Sequence, residues 1–291
     1  MAEIIDGKKI SEEIKTEIAT EVKSLLDRGL RAPHLAVIIA GDDGAALSYA
    51  ESIEKQCKGV GFISSVYHLS SNTPEEEFLS TINFLNNDDE VDGYIIQMPL
   101  PKQISIEKVT AMVDPEKDMD CFHPTNMGNL LLNKDCYLPA TPHGVIELIK
   151  RSNIETSGKK CVILGRSNIV GKPLSMLMLQ KGIDATVTIC HSKTKNMKQI
   201  CKSADILIVA IGQAEMITPD YVKDGATVID VGIHRINAPE LPKGYRLCGD
   251  VLFNEVSKKC NAITPVPGGT GSMTTACLLL NTLTAYRKKL H

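Results

Sequence analysis

The residues most able to do chemistry fall into two groups. The first lies at residues 163–173, ILGRSNIVGKP, where the apolar run 161–164 ends at Gly165. Gly171, Lys172 and Pro173 then open the apolar segment 174–179. Backbone N–H groups at such a strand-to-helix turn, with the positive end of the helix dipole, hold a pyrophosphate. The spacing is G-x5-G rather than G-x-G-x-x-G, so an ordinary turn of an α/β domain stands as the alternative. Arg166 sits in this turn, and His191, Ser192 and Lys193 follow the run 185–190. A carboxylate at that second position takes the ribose 2′-OH of NAD. Here there is none, and the donors Arg166, Ser192 and Lys193 suit a 2′-phosphate, hence NADP, unless they are solvated loop residues.

The second group is dispersed. Residues 41–49, GDDGAALSY, leave a strand and place Tyr49 on the first turn of a helix. Gln97 ends an apolar strand, where a polar side chain faces the ligand edge of a sheet. Residues 117–121, KDMDC, form a carboxylate-rich loop. Residues 264–271, TPVPGGTG, make a shaped loop whose backbone can approach a ligand. Each has a plainer reading: Tyr49 as a packing residue, Asp118 as a helix cap, Gln97 as an edge residue and the glycine loop as a tight turn.

The elements that position these residues are legible in the apolar pattern. Runs at 161–164, 185–190, 204–211 and 226–231 are separated by helical segments, which indicates parallel strands buried on both faces. Ligands bind such sheets beyond the carboxyl ends of the strands, where Gly165, His191, Ser192, Gly212 and Gly232 all fall. This half therefore reads as a Rossmann-type domain. In the first half, Ile10, Ile14, Ile18, Val22 and Leu25 mark one face of a helix. Strands are expected at 34–40, 62–69 and 91–97, the last running into the stiff loop 98–101. A helix is expected at 49–59, and another starting with Thr73 as N-cap and Pro74 at its first position. The domain boundary falls in a helix at 142–151. A final helix at 271–289 returns to the first domain.

Bulk properties narrow the class. A chain of 291 residues is long enough for two domains. Its net charge of −3 argues against a general nucleic-acid binder. No apolar stretch reaches membrane-spanning length, and the opening residues lack a signal-peptide shape. Nine cysteines are scattered without C-x-x-C pairs or zinc spacing, so a reduced, cytoplasmic protein with neither metal nor disulfide is expected.

Taken together, the motifs resemble the methylenetetrahydrofolate dehydrogenase/cyclohydrolase family, essentially from end to end. The resemblance rests on Ile5-Asp6-Gly7, the 41–49 turn, Gln97-Met-Pro-Leu-Pro101, Asp118-Met-Asp120 with Phe122-His123-Pro124, and Thr141-Pro142-His143-Gly144. It continues through the 165–173 turn, residues 186–192, 229–233 and 249–251, and 264–269 before Met273-Thr274. The resemblance implies two α/β domains flanking a cleft: a folate-binding catalytic domain over 1–143, joined by the helix 272–291, and an NAD(P)-binding domain over 144–271. It implies oxidation of 5,10-methylenetetrahydrofolate with NADP, or less often NAD, and in most members hydrolysis of the methenyl product to 10-formyltetrahydrofolate. Homodimers through the cofactor domain are typical.

By the same resemblance Tyr49 stacks on the folate, Asp120 grips the pterin N–H groups, and Gln97 stands beside the catalytic centre. Pro265, Gly268 and Gly269 shape the substrate site. Gly165, Arg166, Ser167, Val170, Gly171, Pro173, His191, Ser192, Gly212, Gly232 and Ile233 line the cofactor site, with Arg166 and Ser192 meeting the 2′-phosphate.

One departure matters most. The family pattern is Tyr-x-x-x-Lys, with a lysine one helical turn beyond the tyrosine, and here that place is Ile53. Lys55, six residues from Tyr49, faces elsewhere. A desolvated lysine is suited to acid/base work on the methenyl cation, whereas hydride transfer chiefly needs both partners held face to face. The sequence thus predicts a dehydrogenase with weak or absent cyclohydrolase activity. Full bifunctionality and a silent folate- or nucleotide-binding paralogue are the alternatives. Milder departures are Ala46, Cys121, Ala140, Leu252, Thr270 and Ser272.

Overall fold

Alternating apolar runs and amphipathic segments build two parallel sheets, each serving its own unit. The computed structural model describes residues 2–242 and 244–290. In chain order the elements are β1 (Glu3–Ile4), α1 (Gly7–Asp27), β2 (His34–Ala40), α2 (Gly44–Val60), β3 (Ile63–Leu69), α3 (Glu75–Asn87) and β4 (Gly93–Ile96). There follow α4 (Ile106–Met112), α5 (Pro124–Leu131), α6 (Ala140–Arg151), β5 (Lys160–Leu164), α7 (Gly171–Leu179), β6 (Thr186–Cys190), α8 (Met197–Lys202) and β7 (Ile206–Val209). The chain ends with β8 (Thr227–Asp230), β9 (His234–Asn237), β10 (Tyr245–Cys248), α9 (Phe253–Val256), β11 (Ala262–Ile263) and α10 (Met273–Lys289).

One unit comprises Met1–Ser11 and Thr141–Thr274. Its six-stranded sheet has the order β1-β11-β8-β7-β5-β6, with every pairing parallel. Val162, Leu164, Leu207, Val209, Val228 and Ile263 supply the centre of its core. The strand order reverses around β5, which lies between β6 and β7. In such sheets the crevice at this switch point receives the ligand.

The other unit comprises Glu12–Ala140 and Thr275–His291. Its parallel sheet has the order β3-β2-β4, with Ile38, Phe78, Ile82, Leu85, Tyr94 and Ile96 in the core. On α1, the stripe Ile14, Ile18, Val22 and Leu25 is buried at the expected spacing.

The structure departs from expectation in three places. Residues 1–11 do not cluster with the first half: β1 hydrogen-bonds to β11 in register Glu3↔Ala262, and residues 141–143 also join the second unit. Helix α2 starts at Gly44, because the Asp43 carboxylate caps it by accepting from Ala45 N and Ala46 N at 3.1 and 2.9 Å. Tyr49 is therefore in the second turn rather than the first. In α3 the N-cap is Pro74, without a side-chain cap bond, and Thr73 is buried just before it.

Candidate functional site

The carboxyl edge of the three-stranded sheet collects the folate-type candidates. Register pairs Ile38 with Ile96, so the segments after β2 and β4 leave at the same level. The first leads into α2 and Tyr49; the second begins with Gln97. The segment 117–119 runs alongside β4: Tyr94 bridges Asp118 in parallel, Tyr94 N donates to Lys117 O at 2.9 Å, and Met119 N donates to Tyr94 O at 3.3 Å. Two residues after Asp118 the chain turns to Asp120, whose charge acts on Tyr49.

The two carboxylates are told apart by their partners. Asp118 is buried and accepts from Phe122 N, His123 N and Asn126 Nδ2 at 3.0, 2.8 and 3.0 Å. It ties down the segment leading into α5, whose N-cap is His123 rather than Asp118. Asp120 is half-buried, receives a hydrogen bond from the Ala140 backbone N–H, and its pKa is pushed up to about 6 by burial and then by the charge of Asp118. Tyr49 is half-buried and shares a hydrogen bond with the Thr275 side chain. Burial, with Asp120 adding to it, raises its pKa to about 12. The structure thus brings Tyr49, Asp120 and Thr275 together. Gln97 Nε2 is turned onto Met98 O at 3.0 Å. Thr275 was missed in the sequence because nothing marks one hydroxyl in a C-terminal helix.

Ile53 lies one turn beyond Tyr49 on α2 and is fully buried. The charges acting on Tyr49 and Asp120 come from carboxylates, Asp120 and Asp118 respectively, and include no cation.

In the six-stranded sheet, Leu164↔Cys190 pairing and the Gly165 N to Cys190 O bond of 2.9 Å set the β5 and β6 ends side by side. Arg166 and Ser192 are exposed next to those ends. The Arg166 guanidinium has no side-chain partner among the described residues. The start of α7 differs from expectation. Ser167 Oγ accepts from Val170 N and Gly171 N at 3.1 and 3.4 Å, and Ser167 O accepts from Lys172 N at 3.1 Å. The helix donors expected to meet pyrophosphate are thus taken by Ser167. The donors left open are the exposed backbone N–H groups of residues 166–169.

Gly165 has φ +117°, and a Cβ there would collide with Ala210 O, while one on Gly171 would collide with Gly165 O. The turn accordingly packs backbone on backbone. Gly165→Ala is expected to cost roughly 2–4 kcal/mol through clash and left-handed strain, read as a fall in thermal midpoint. An unchanged midpoint would contradict the tight packing.

Two carboxylates that sequence reading passed over hold the rest of this edge. Asp250, fully buried, accepts from Ile211 N, Gly212 N and Gln213 N at 2.7, 3.0 and 2.8 Å, and lies 2.7 Å from His234 Nε2. Asp230 accepts from Gly232 N, Asp250 N and Val251 N at 2.9, 3.0 and 2.8 Å. Burial pushes its pKa up to about 6. Gly212, Gly232 and Ile233 are placed by this pair. The carboxyls of Asp120 and Asp230 both rise from 3.8 to about 6. Their contribution to stability is thus full below about pH 4 and is lost as pH rises through about 6.

The 264–271 loop is stitched to β8 as well. Thr264 Oγ1 accepts from Asp230 N and Thr270 Oγ1 donates to Asp230 O, both at 2.8 Å. Lys8 N donates to Gly268 O at 2.9 Å. A Cβ on Gly7 would overlap Gly269 O, and one on Gly269 would overlap Pro265 O, so close backbone approach requires glycine at both. His143, in the first turn of α6, has a buried Nδ1 without a partner, and burial lowers its pKa to about 4, leaving a neutral imidazole.

Comparison with known proteins agrees with this two-part arrangement. Residues 5–120 match the catalytic domain, and residues 139–290 the NAD(P)-binding domain, of tetrahydrofolate dehydrogenase/cyclohydrolase. The chain belongs to the tetrahydrofolate dehydrogenase/cyclohydrolase family. Within that family it is similar to the bifunctional protein FolD of Bacteroides thetaiotaomicron, with 51% identity over 290 residues and 99% of each chain covered. Among solved structures, the bifunctional FolD of Campylobacter jejuni is 42% identical, with a TM-score of 0.93 over 99% of this chain and all of the other. The Trypanosoma brucei FolD, complexed with NADP and an inhibitor, is 35% identical with a TM-score of 0.94, covering all of this chain and 99% of the other. No helix among the described residues is long and apolar enough to cross a membrane.

Proposed function

We propose that this protein oxidises 5,10-methylenetetrahydrofolate with NADP and hydrolyses the methenyl product to 10-formyltetrahydrofolate. The observation that carries the reading is the grouping of Tyr49 with Asp120 in the unit whose β4 ends just before Gln97. The bifunctional names of relatives at about half identity over the full chain favour this over the dehydrogenase-only expectation. In the proposal Tyr49 lies flat against the pterin–aminobenzoate system. The Asp120 carboxylate accepts charge-assisted hydrogen bonds from the pterin amino and ring N–H groups. Gln97 borders the reacting carbon. The lone pairs of folate N5 and N10 supply the electronic push.

The cofactor edge fits a dinucleotide: Gly165 leaves no side chain over the turn, and among the described residues four backbone donors and the Arg166 guanidinium have no partner. When bound, the nicotinamide supplies hydride-accepting chemistry. Residues 165–173 with His191, Ser192, Gly212, Gly232 and Ile233 would hold it, with Arg166 and Ser192 on the 2′-phosphate. Arg166→Gln is expected to raise the KM for NADP about tenfold and leave that for NAD nearly unchanged, in parallel steady-state assays. Equal changes for both cofactors would remove Arg166 from the phosphate. A homodimer formed through the cofactor unit and a cytoplasmic setting complete the proposal, supported by the family resemblance and by nine free cysteines.

One observation favours a second reading, in which hydrolysis is weak: fully buried Ile53 stands where the family resemblance places a lysine. The two readings separate when decay of added 5,10-methenyltetrahydrofolate is followed without cofactor. Decay well above the buffer rate supports bifunctionality. Decay at the buffer rate, alongside normal NADP reduction, supports the dehydrogenase-only reading.

A further inference from the structure

The inference rests on the folate reading above and concerns how Tyr49 is held for it. A threonine inside a helix often turns its Oγ1 back onto a carbonyl of the preceding turn. Thr282 and Thr284 do so on α10, donating to Leu278 O and Leu280 O at 2.8 Å each. Thr275 is only 5% exposed, yet among the described residues its hydroxyl makes no such bond. Its partner is the half-buried Tyr49 phenol on α2. A buried hydroxyl turned away from its own helix in this way links two elements.

The α10 end of that link is fixed. Further along the helix, buried Asn281 donates through Nδ2 to Met119 O and Leu138 O, both at 2.8 Å. Met119 directly precedes Asp120, and Leu138 stands just before Ala140, whose N–H bonds the Asp120 carboxyl. Near the end of α10, Tyr286 Oη donates to Arg31 O at 2.7 Å. Tyr49, Asp120, Thr275 and Asn281 all belong to one unit. Helix α10 is thus registered against the segment that carries Asp120, and Thr275 is set with it.

The consequence for Tyr49 follows from the geometry of a phenol. The outer torsion of a tyrosine is broad, so an untethered ring samples many tilts. Its oxygen lies on the ring axis, so a fixed partner sets where that axis points. The O–H lies in the ring plane, so the same partner restrains the tilt. We propose that Thr275 is a positioning residue for the folate: its hydroxyl anchors the Tyr49 phenol and presets the ring face on which the pterin–aminobenzoate system lies. Stacking holds the substrate alike before and during hydride transfer, so the anchor acts on substrate affinity and leaves the chemical step alone.

The test is a double-mutant cycle in steady-state assays with 5,10-methylenetetrahydrofolate and NADP. Thr275→Val keeps the branched shape and removes the hydroxyl. It is expected to raise the folate KM about 3- to 10-fold, with kcat and the KM for NADP within about twofold of native. Tyr49→Phe, which removes the other half of the anchor, should raise the folate KM by a similar factor. Added to Tyr49→Phe, Thr275→Val should cost less than about twofold more, since its partner is already gone. Thr275→Ser keeps the hydroxyl and should stay within about twofold of native. A native folate KM in Thr275→Val or Tyr49→Phe, a serine variant as weak as the valine one, or an equal penalty in both backgrounds overturns the anchor alone. No turnover by the native protein with NADP or NAD overturns the folate reading and the anchor with it.

Discussion

Replacing Ile53 by lysine is expected to raise hydrolysis of 5,10-methenyltetrahydrofolate by about 10- to 100-fold, while NADP-linked oxidation changes little. General acid/base groups contribute roughly 10²–10⁴-fold when correctly placed, and the lower part of that range suits a group added to a site not shaped for it. Position 53 lies one helical turn beyond Tyr49 and is fully buried. A lysine there loses hydration, so its pKa falls and its neutral form becomes accessible near neutral pH. The same desolvation costs stability, about 2–4 kcal/mol by analogy with other polar burials. The variant is therefore read by two measurements: methenyl decay, and NADP reduction as the control for fold. Retained oxidation with unchanged hydrolysis would mean that the lysine position is not what limits the second reaction.

Asp120→Asn is expected to lower kcat/KM for 5,10-methylenetetrahydrofolate by about 10²–10³-fold, with NADP affinity preserved. Charge-assisted hydrogen bonds are worth about 1.5–3 kcal/mol each. The amide both removes the charge and turns a donor toward the pterin donors. The pKa of about 6 adds a signature of its own. Only the ionised carboxylate accepts both pterin N–H groups, so kcat/KM in the native protein should climb between pH 5 and 7 with a midpoint near about 6. The Asn variant should lose that limb. A native profile flat through this range, or a variant that keeps the limb, would remove Asp120 from pterin recognition.

The residues differ in how far the sequence betrayed them. The four strands β5–β8 stood out because each is a β-branched run closed by a small or turn residue, and β2 falls at the expected bounds, His34–Ala40. Helix α2 began five residues early because the capping power of Asp43 outweighed the glycine that follows it. The roles of Asp118 and Asp120 could not be told apart by composition. They separate only by their partners in the fold: Asp118 is tied to Phe122 N, His123 N and Asn126, and Asp120 to Ala140 N beside Tyr49. Asp230 and Asp250 were invisible as a pair. Each is a lone carboxylate in the chain, and their partnership depends on loops that meet only when β7 and β8 are aligned. The bonds that Ser167 makes at the start of α7 were likewise hidden, since its acceptors bond to neighbours that the glycine spacing alone assigns to a ligand.

The central claim is substrate-dependent hydride removal from a one-carbon folate, and one measurement bears on it most directly. The purified protein would be supplied with NADP and 5,10-methylenetetrahydrofolate, and reduced cofactor counted against methenyl plus formyl product. Equal amounts of reduced cofactor and one-carbon product, with no reduction when the folate is omitted, are expected. No cofactor reduction with either NADP or NAD, from a protein that still binds folate, would contradict the account and leave a binding paralogue in its place.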